Sequence, residues 1–406
     1  MVTADSDSPI RIVPVRTATV RSWRCGCLVF LLSSALCAPV LHGEEPPLQL
    51  IHVTLTDDAD WQEDSLSGRI VLTAADGGIL LEEPNGTLHN LSPDEFRDIQ
   101  DAGQPFTRLD SDSLATDLVN QMGAAFAIRQ TEHFVICSAG SDTFTEHLAE
   151  LLEEVYDEFF GFFESDSHSP VRRPEHPLPV VIFRSTVQLQ QHARRQHPKI
   201  SFDAVPGYYS SRFNRMYISD ILRESRSRGG LIRQLKKVPR HTETIVHEVV
   251  HQLGYNSGLH IRFADNPLWF TEGVALYFES YSGRGRLLWS GPGRPNAVHL
   301  RHLRASGNEP RLPVSLTALI SDNAVFQAPE TTADAYAVSW ALLYHLIHGD
   351  REAFNRLSRR LQQRKPLREI PAADELTELE AALRRRLPEV ESDVMATLRT
   401  LRIRRR

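Results

Sequence analysis

HTETIVHEVVHQLGYNSGLHIRFADNPLWFTEGVALYFESY, residues 241–281, is the stretch from which the rest of the chain can be read. At its centre stands His247-Glu248-Val249-Val250-His251, an H-E-x-x-H run. On a helix, positions i and i+4 lie one above the other, so both imidazoles can point at one metal ion. Glu248, one position on, can reach a water held there. Ile245, Val246, Val249, Val250 and Leu253 flank the motif as a helix requires, and Gly254 or Gly258 offers a stop. A helix that is apolar on nearly every side is buried, and a buried His-Glu-His set needs partners.

Two histidines fall short of the three protein ligands common in catalytic zinc sites. Glu272, in Pro267-Leu268-Trp269-Phe270-Thr271-Glu272-Gly273-Val274-Ala275, is the expected third. It follows His251 by 21 residues, room for a turn and an antiparallel return. Residues 268–280 read as that second helix, with Trp269, Phe270, Val274, Leu276 and Phe278 toward the core. A metzincin reading fails: H-E-x-x-H-x-x-G runs to Gly254, but Ser257 stands where that pattern wants a third histidine. Neither Met216 nor Met395 suits a Met-turn, and His260 is wrongly spaced. Among 17 histidines one H-E-x-x-H could arise by chance, but a second apolar helix bearing a glutamate is a further condition, and it is met.

The two motifs together resemble the gluzincins, the thermolysin-like zinc peptidases in which a second helix supplies a glutamate. The W-x-x-E-G run looks most like the membrane alanyl aminopeptidases and the peptidase MA-like group of bacterial proteins. The resemblance spans about a third of the chain. It implies an α+β, thermolysin-like zincin domain holding Zn²⁺ through His247, His251 and Glu272, with Glu248 as general base on the attacking water. In the aminopeptidases a tyrosine well downstream of the zinc glutamate, at the opening of a helix, donates to the oxyanion. Tyr336, 64 residues beyond Glu272, resembles it; on an apolar helix near Trp340, Leu343 and Leu346 it also reads as core. His345 and His348 read as helix surface. The aminopeptidase G-x-M-E-N motif for a free amine is missing, since Gly207-Tyr208-Tyr209 and Asn214-Arg215-Met216 bring no glutamate. That departure favours an endopeptidase acting on a peptide or protein. The alternative is a non-catalytic exported binding or structural protein that keeps a gluzincin-like fold.

Toward the N-terminus, Arg11, Arg16, Arg21 and Arg24 precede the apolar run Cys27–Leu36, too short to span a bilayer comfortably. Residues 1–37 therefore read as a signal peptide, with Ala35 and Cys37 as the small residues before cleavage at Ala38. Membrane contact is expected only if that segment stays as an uncleaved anchor; in both cases the remainder is exported, to periplasm, cell surface or medium. Only Cys137 then remains in the mature chain, so no intramolecular disulfide can form. Cys137 reads as a small buried hydrophobe. A net charge of −7 gives no reason to expect nucleic acid, and the arginines at 402 and 404–406 read as a solvated tail.

Residues 48–105 read as a small β-rich module, with hairpin turns at Asp76-Gly77-Gly78 and Asn85-Gly86. Ser92-Pro93-Asp94-Glu95 reads as the start of a short helix and 100–116 as a linker. Residues 126–285 form the expected zincin domain, with strands at 134–138, 178–183 and twice within 207–219, and helices at 142–163 and 186–196. The resemblance nominates Arg215-Met216-Tyr217-Ile218 as a cleft-lining edge strand that pairs with substrate; an ordinary sheet strand is the bland alternative. Arg223–Arg240 and Ser282–Pro313 read as loops, and 286–406 as a helical part completing the cleft, with helices at 314–320, 333–348, 351–363, 375–387 and 389–401.

Overall fold

The computed structural model describes residues 48–56, 64–164, 171–196, 206–222, 227–289, 291–304 and 309–402. The expected signal segment 1–37 lies outside them. The fold is mixed α+β, with a β-rich N-terminal region and a helical C-terminal part, and the chain divides into two compact units between Arg108 and Leu109.

The first unit holds β1 (Gln49–Leu55), β2 (Ser65–Thr73), β3 (Ile79–Glu82), β4 (Leu88–Leu91) and β5 (Phe96–Pro105). They form an antiparallel sheet in the order β4-β3-β2-β1-β5. Val53, Leu55, Leu66, Ile79, Leu81 and Leu91 cluster in its core. Ser92–Glu95 is a turn, not a helix start. The Glu95 carboxylate accepts from the Ser92 N–H and hydroxyl, as in a capping box, but Phe96 then pairs with Leu55 instead of continuing a helix. The polar run from 100 to 105, expected as linker, belongs to β5. It flanks β1 at the sheet edge with nearly every side chain in solvent, so polarity there marks an edge strand.

The second unit begins with α1 (Ser111–Met122), also unforeseen, whose N-terminus is capped by Asp110 accepting from the Ser113 N–H at 2.8 Å. Then come β6 (Ala127–Gln130), β7 (Phe134–Ser138), α2 (Asp142–Glu164), β8 (Leu178–Phe183), α3 (Thr186–Gln196), β9 (Gly207–Ser210) and β10 (Arg215–Ser219). The sheet order is β6-β7-β8-β10-β9, with β7, β8 and β10 parallel and both edge strands antiparallel. Alternation along the strands sends Phe134, Ile136, Val180, Ile182, Met216 and Ile218 to one face. Val135, Cys137, Val181, Phe183 and Tyr217 go to the other, where α1 and α3 pack through Leu114, Leu118, Leu189 and Ala193. Cys137 is fully buried and its thiol is pushed up to about 11 by burial.

This topology corrects the edge-strand expectation. Arg215–Ile218 lie in β10, which is paired on both sides, so their backbone has no free edge for a substrate; β9 is the edge. Arg215 is itself buried, its guanidinium donating to Gln121 Oε1 and paired with Asp117.

Helices fill the rest: α4 (Arg228–Leu235), α5 (Pro239–Asn256), α6 (Leu268–Phe278), α7 (Ala297–Leu303), α8 (Leu316–Ser321), α9 (Thr332–Gly349), α10 (Arg351–Leu361), α11 (Ala372–Leu383) and α12 (Leu387–Thr400). Thus α4 and the first two residues of α5 fall within the expected loop at 223–240, and α7 forms inside the expected loop at 282–313. The larger core joins α2, α5 and the sheet to α6, α9, α10 and α12. Gly273 explains how α6 meets α9 so closely: a Cβ there would stand 3.1 Å from the Ser339 carbonyl oxygen and 3.2 Å from Leu343 Cβ. The absent side chain lets Glu272, the residue before it, sit deep between helices. No helix among the described residues is long and apolar enough to cross a membrane.

Candidate metal centre

Helix α5 carries His247, Glu248 and His251, and α6 returns Glu272 to them. The four side chains are desolvated, at 4, 2, 6 and 5 % exposed in that order. His247 Nε2 and His251 Nε2 are 3.0 Å apart, and Glu272 Oε2 stands 3.2 Å from the first and 3.6 Å from the second. Ligand atoms around a tetrahedral ion bound at about 2.0–2.1 Å are separated by roughly 3.3–3.4 Å, so these spacings bracket one triangular face of such a site. Glu272 Oε2 is buried and accepts no hydrogen bond despite its closeness to both rings. A buried carboxylate oxygen without a donor is costly, and a shared cation would satisfy it together with both imidazoles. Among the described residues His247, His251 and Glu272 are the group able to hold a metal ion.

Electrostatics within the cluster follow from burial and pairing. Burial favours a neutral His247, but the Glu272 and Glu279 carboxylates beside it raise the imidazole well above its ordinary value. Burial likewise opposes a charged Glu272, yet the two imidazoles hold its carboxyl down at about 2. Glu248 is raised, with burial the main cause and the two imidazoles pulling the other way. Its Oε2 accepts from the Tyr209 N–H of edge strand β9 at 2.8 Å, which fixes the carboxylate beside the histidines.

Glu279 is the participant that sequence reasoning missed. It lies seven residues past Glu272, two turns along α6 and just beyond its last residue. Its Oε2 pairs with His247 Nδ1 at 3.0 Å. With Nδ1–H donating there, the lone pair of His247 falls on Nε2 and faces the other ligands, the arrangement that orients metal-binding histidines. The other oxygen of Glu279 accepts from Asn296 Nδ2 at 2.9 Å and lies 3.6 Å from His299 Nε2. Asn296 also caps α7, its Oδ1 accepting from the Val298 and His299 N–H groups. A stretch that looked like plain loop therefore buttresses a candidate ligand. The one available signal was the i, i+7 spacing of the two glutamates on an apolar helix.

Tyr336, on the first turns of α9, is 9 % exposed and packs edge-on against Phe326 at 5.7 Å. Its phenol is raised well above the ordinary value, first by burial and then by the nearby Glu272 and Glu248 charges. The fold thus brings Tyr336 into the neighbourhood of Glu272 and Glu248, beside the three residues that could hold a metal ion. His260, the rejected ligand, packs edge-on against Tyr255 and Phe270, its ring filling the space a Cβ at Gly254 would occupy. His348 Nε2 meets the Tyr277 hydroxyl at 3.2 Å and His345 Nδ1 meets Thr397 Oγ1 at 2.8 Å.

Residues 241–368 match the sequence model of a family described as "Protein of unknown function (DUF1570)". The matched stretch opens at the first residue of the motif region and takes in both ligand-bearing helices and Tyr336. No curated protein matches the chain.

Proposed function

We propose that this chain is an exported zinc-dependent peptidase of the gluzincin type, its second unit a thermolysin-like zincin domain. One observation carries the reading: three ligand atoms converge at tetrahedral spacing with the Glu248 carboxylate beside them. The donor set suits zinc, because two imidazoles and one carboxylate with an open fourth position recur in catalytic zinc sites. Bound Zn²⁺ would supply a Lewis acid that polarises a scissile carbonyl and acidifies a water molecule.

The protein's own groups do the remainder. Glu248, held by the Tyr209 N–H, takes the proton of the attacking water and passes it to the leaving amine. Tyr336 offers its hydroxyl to the developing oxyanion, as an acyl-transfer donor does. Glu279 keeps the His247 ring in one tautomer and one orientation. Edge strand β9, with no strand on its outer side among the described residues, is where an extended peptide would pair, the role expected of β10. Its sequence, Gly207-Tyr208-Tyr209-Ser210, has no acidic residue to capture a terminal amine, which favours cleavage within a chain.

Glu248→Gln and Tyr336→Phe test this together. Glu248→Gln keeps the size of the side chain and removes the base, so zinc content should hold while hydrolysis of a peptide panel falls by roughly 10²–10⁴-fold. Tyr336→Phe should lower kcat more than it raises KM, because an oxyanion donor acts in the transition state. A Glu248→Gln protein that cleaves as fast as its parent ends the mechanism. A wild-type protein that binds zinc yet cleaves no peptide points to the non-catalytic alternative.

A further inference from the structure

The two faces of the second unit's sheet receive different crossover helices. The chain leaves β7 into α2 on the face shared with α5, and leaves β8 into α3 on the opposite face. Neighbouring parallel strands whose connections diverge leave a crevice outside their carboxyl ends, where α/β sheets bind ligands. A cavity of about 320 Å³ lies there. Ala139 after β7, Phe183 and Arg184 at the end of β8, and the near side of α3 all line it.

We propose that this crevice binds a small organic anion, a carboxylate or phosphate joined to an apolar ring. Its volume falls at the lower end of small-molecule sites. Met122, Phe126 and Phe183 form an apolar wall, with the two phenyl rings edge to face at 5.7 Å. Arg184 and Arg195 supply two positive charges, and no acidic side chain is among the lining residues. Neither guanidinium has an ion-pair partner among the described residues, whereas Arg173, Arg228 and Arg364 are all paired with glutamates. An anion in the cavity would meet both positive charges. Gln188 and Gln191 add polar groups for orientation. The proposed metal ligands ride on α5 and α6, which belong to the core on the other side of the sheet, so this crevice is separate from them.

Titration calorimetry of the purified chain with phenyl phosphate, benzoate, inorganic phosphate and benzyl alcohol tests the proposal. Phenyl phosphate or benzoate should bind at one site per chain, and the tighter of the two identifies the headgroup. Arg184→Gln and Arg195→Gln should each weaken that binding by about ten-fold or more, as loss of a charged hydrogen-bond donor does. Both side chains are exposed, so the variants should melt with the parent. Binding should persist after chelation with EDTA. Benzyl alcohol binding as tightly refutes the anion requirement, and inorganic phosphate binding as tightly refutes the apolar wall. Binding that ignores both arginine substitutions, or that disappears with the chelated metal, assigns the anion to the metal centre and overturns the proposal. So does failure of all four probes to bind below about 1 mM.

Discussion

Helix α5 carries buried histidines of two kinds. His247 and His251 face carboxylates, and His247 is held between Glu272 and Glu279. His241, at the start of the same helix, neighbours another buried histidine, His147 of α2, and stacks on Phe144 at 5.6 Å. Among the described residues, none of the four ring nitrogens of His147 and His241 has a hydrogen-bond partner. Burial pushes His241 down to about 3, with His147 adding to the effect. Burial also lowers His147 to about 4, helped by Arg228 and opposed by Glu150. Burial is common to both pairs and makes no site by itself. The acidic side chains that α6 brings to one pair and not to the other create the difference.

The largest test of that contrast removes a ligand. His251→Ala should take the protein from about one zinc per chain to none, as read by metal analysis after dialysis. His241→Ala should leave zinc content unchanged. Equal zinc loss from both variants would erase the distinction. A smaller effect is expected at the buttress. Glu279→Gln keeps a hydrogen-bond acceptor but not the charge, and should weaken zinc affinity by roughly 10–100-fold in a chelator competition, with the fold intact. Unchanged affinity would demote Glu279 to packing.

The third test concerns acid stability. His147 and His241 stay neutral in the folded chain down to about 4 and 3, while in the unfolded chain they take up protons below about 6.5. The unfolded state therefore binds more protons between those limits, and stability falls as pH drops through that window, by about 1.4 kcal/mol per pH unit for each group. His241→Phe preserves stacking on Phe144 and removes one titration. Its melting temperature should drop less than the parent's between pH 6.5 and pH 4. Parallel curves for the two proteins would show that His241 is not a source of acid lability.

Much of the site was legible because its logic is local. The i, i+4 spacing of His247 and His251 commits both rings to one helical face wherever that helix packs, and Glu272 stands on the next apolar helix. The strands at 134–138 and 178–183 declared themselves as continuous apolar runs, since both faces of this sheet are covered. The misreadings share a cause. Strand β5 is polar because it is an exposed edge, α1 buries only Leu114, Ala115 and Leu118, and α4 buries only Leu231 and Leu235. Each shows too weak a periodicity to announce itself, and packing against neighbours decides its form.

From the sequence alone came the candidate ligands, the proposed general base and the helices that bear them, because side-chain spacing within a helix is set by backbone geometry. Tertiary structure alone decided which strand is the edge, which carboxylate orients His247, that the Tyr209 N–H holds Glu248, and which buried histidines stay neutral. All of these depend on groups brought close from distant parts of the chain. Hydrogen bonding and charge act through space over a few ångströms, and only the packed fold establishes those distances.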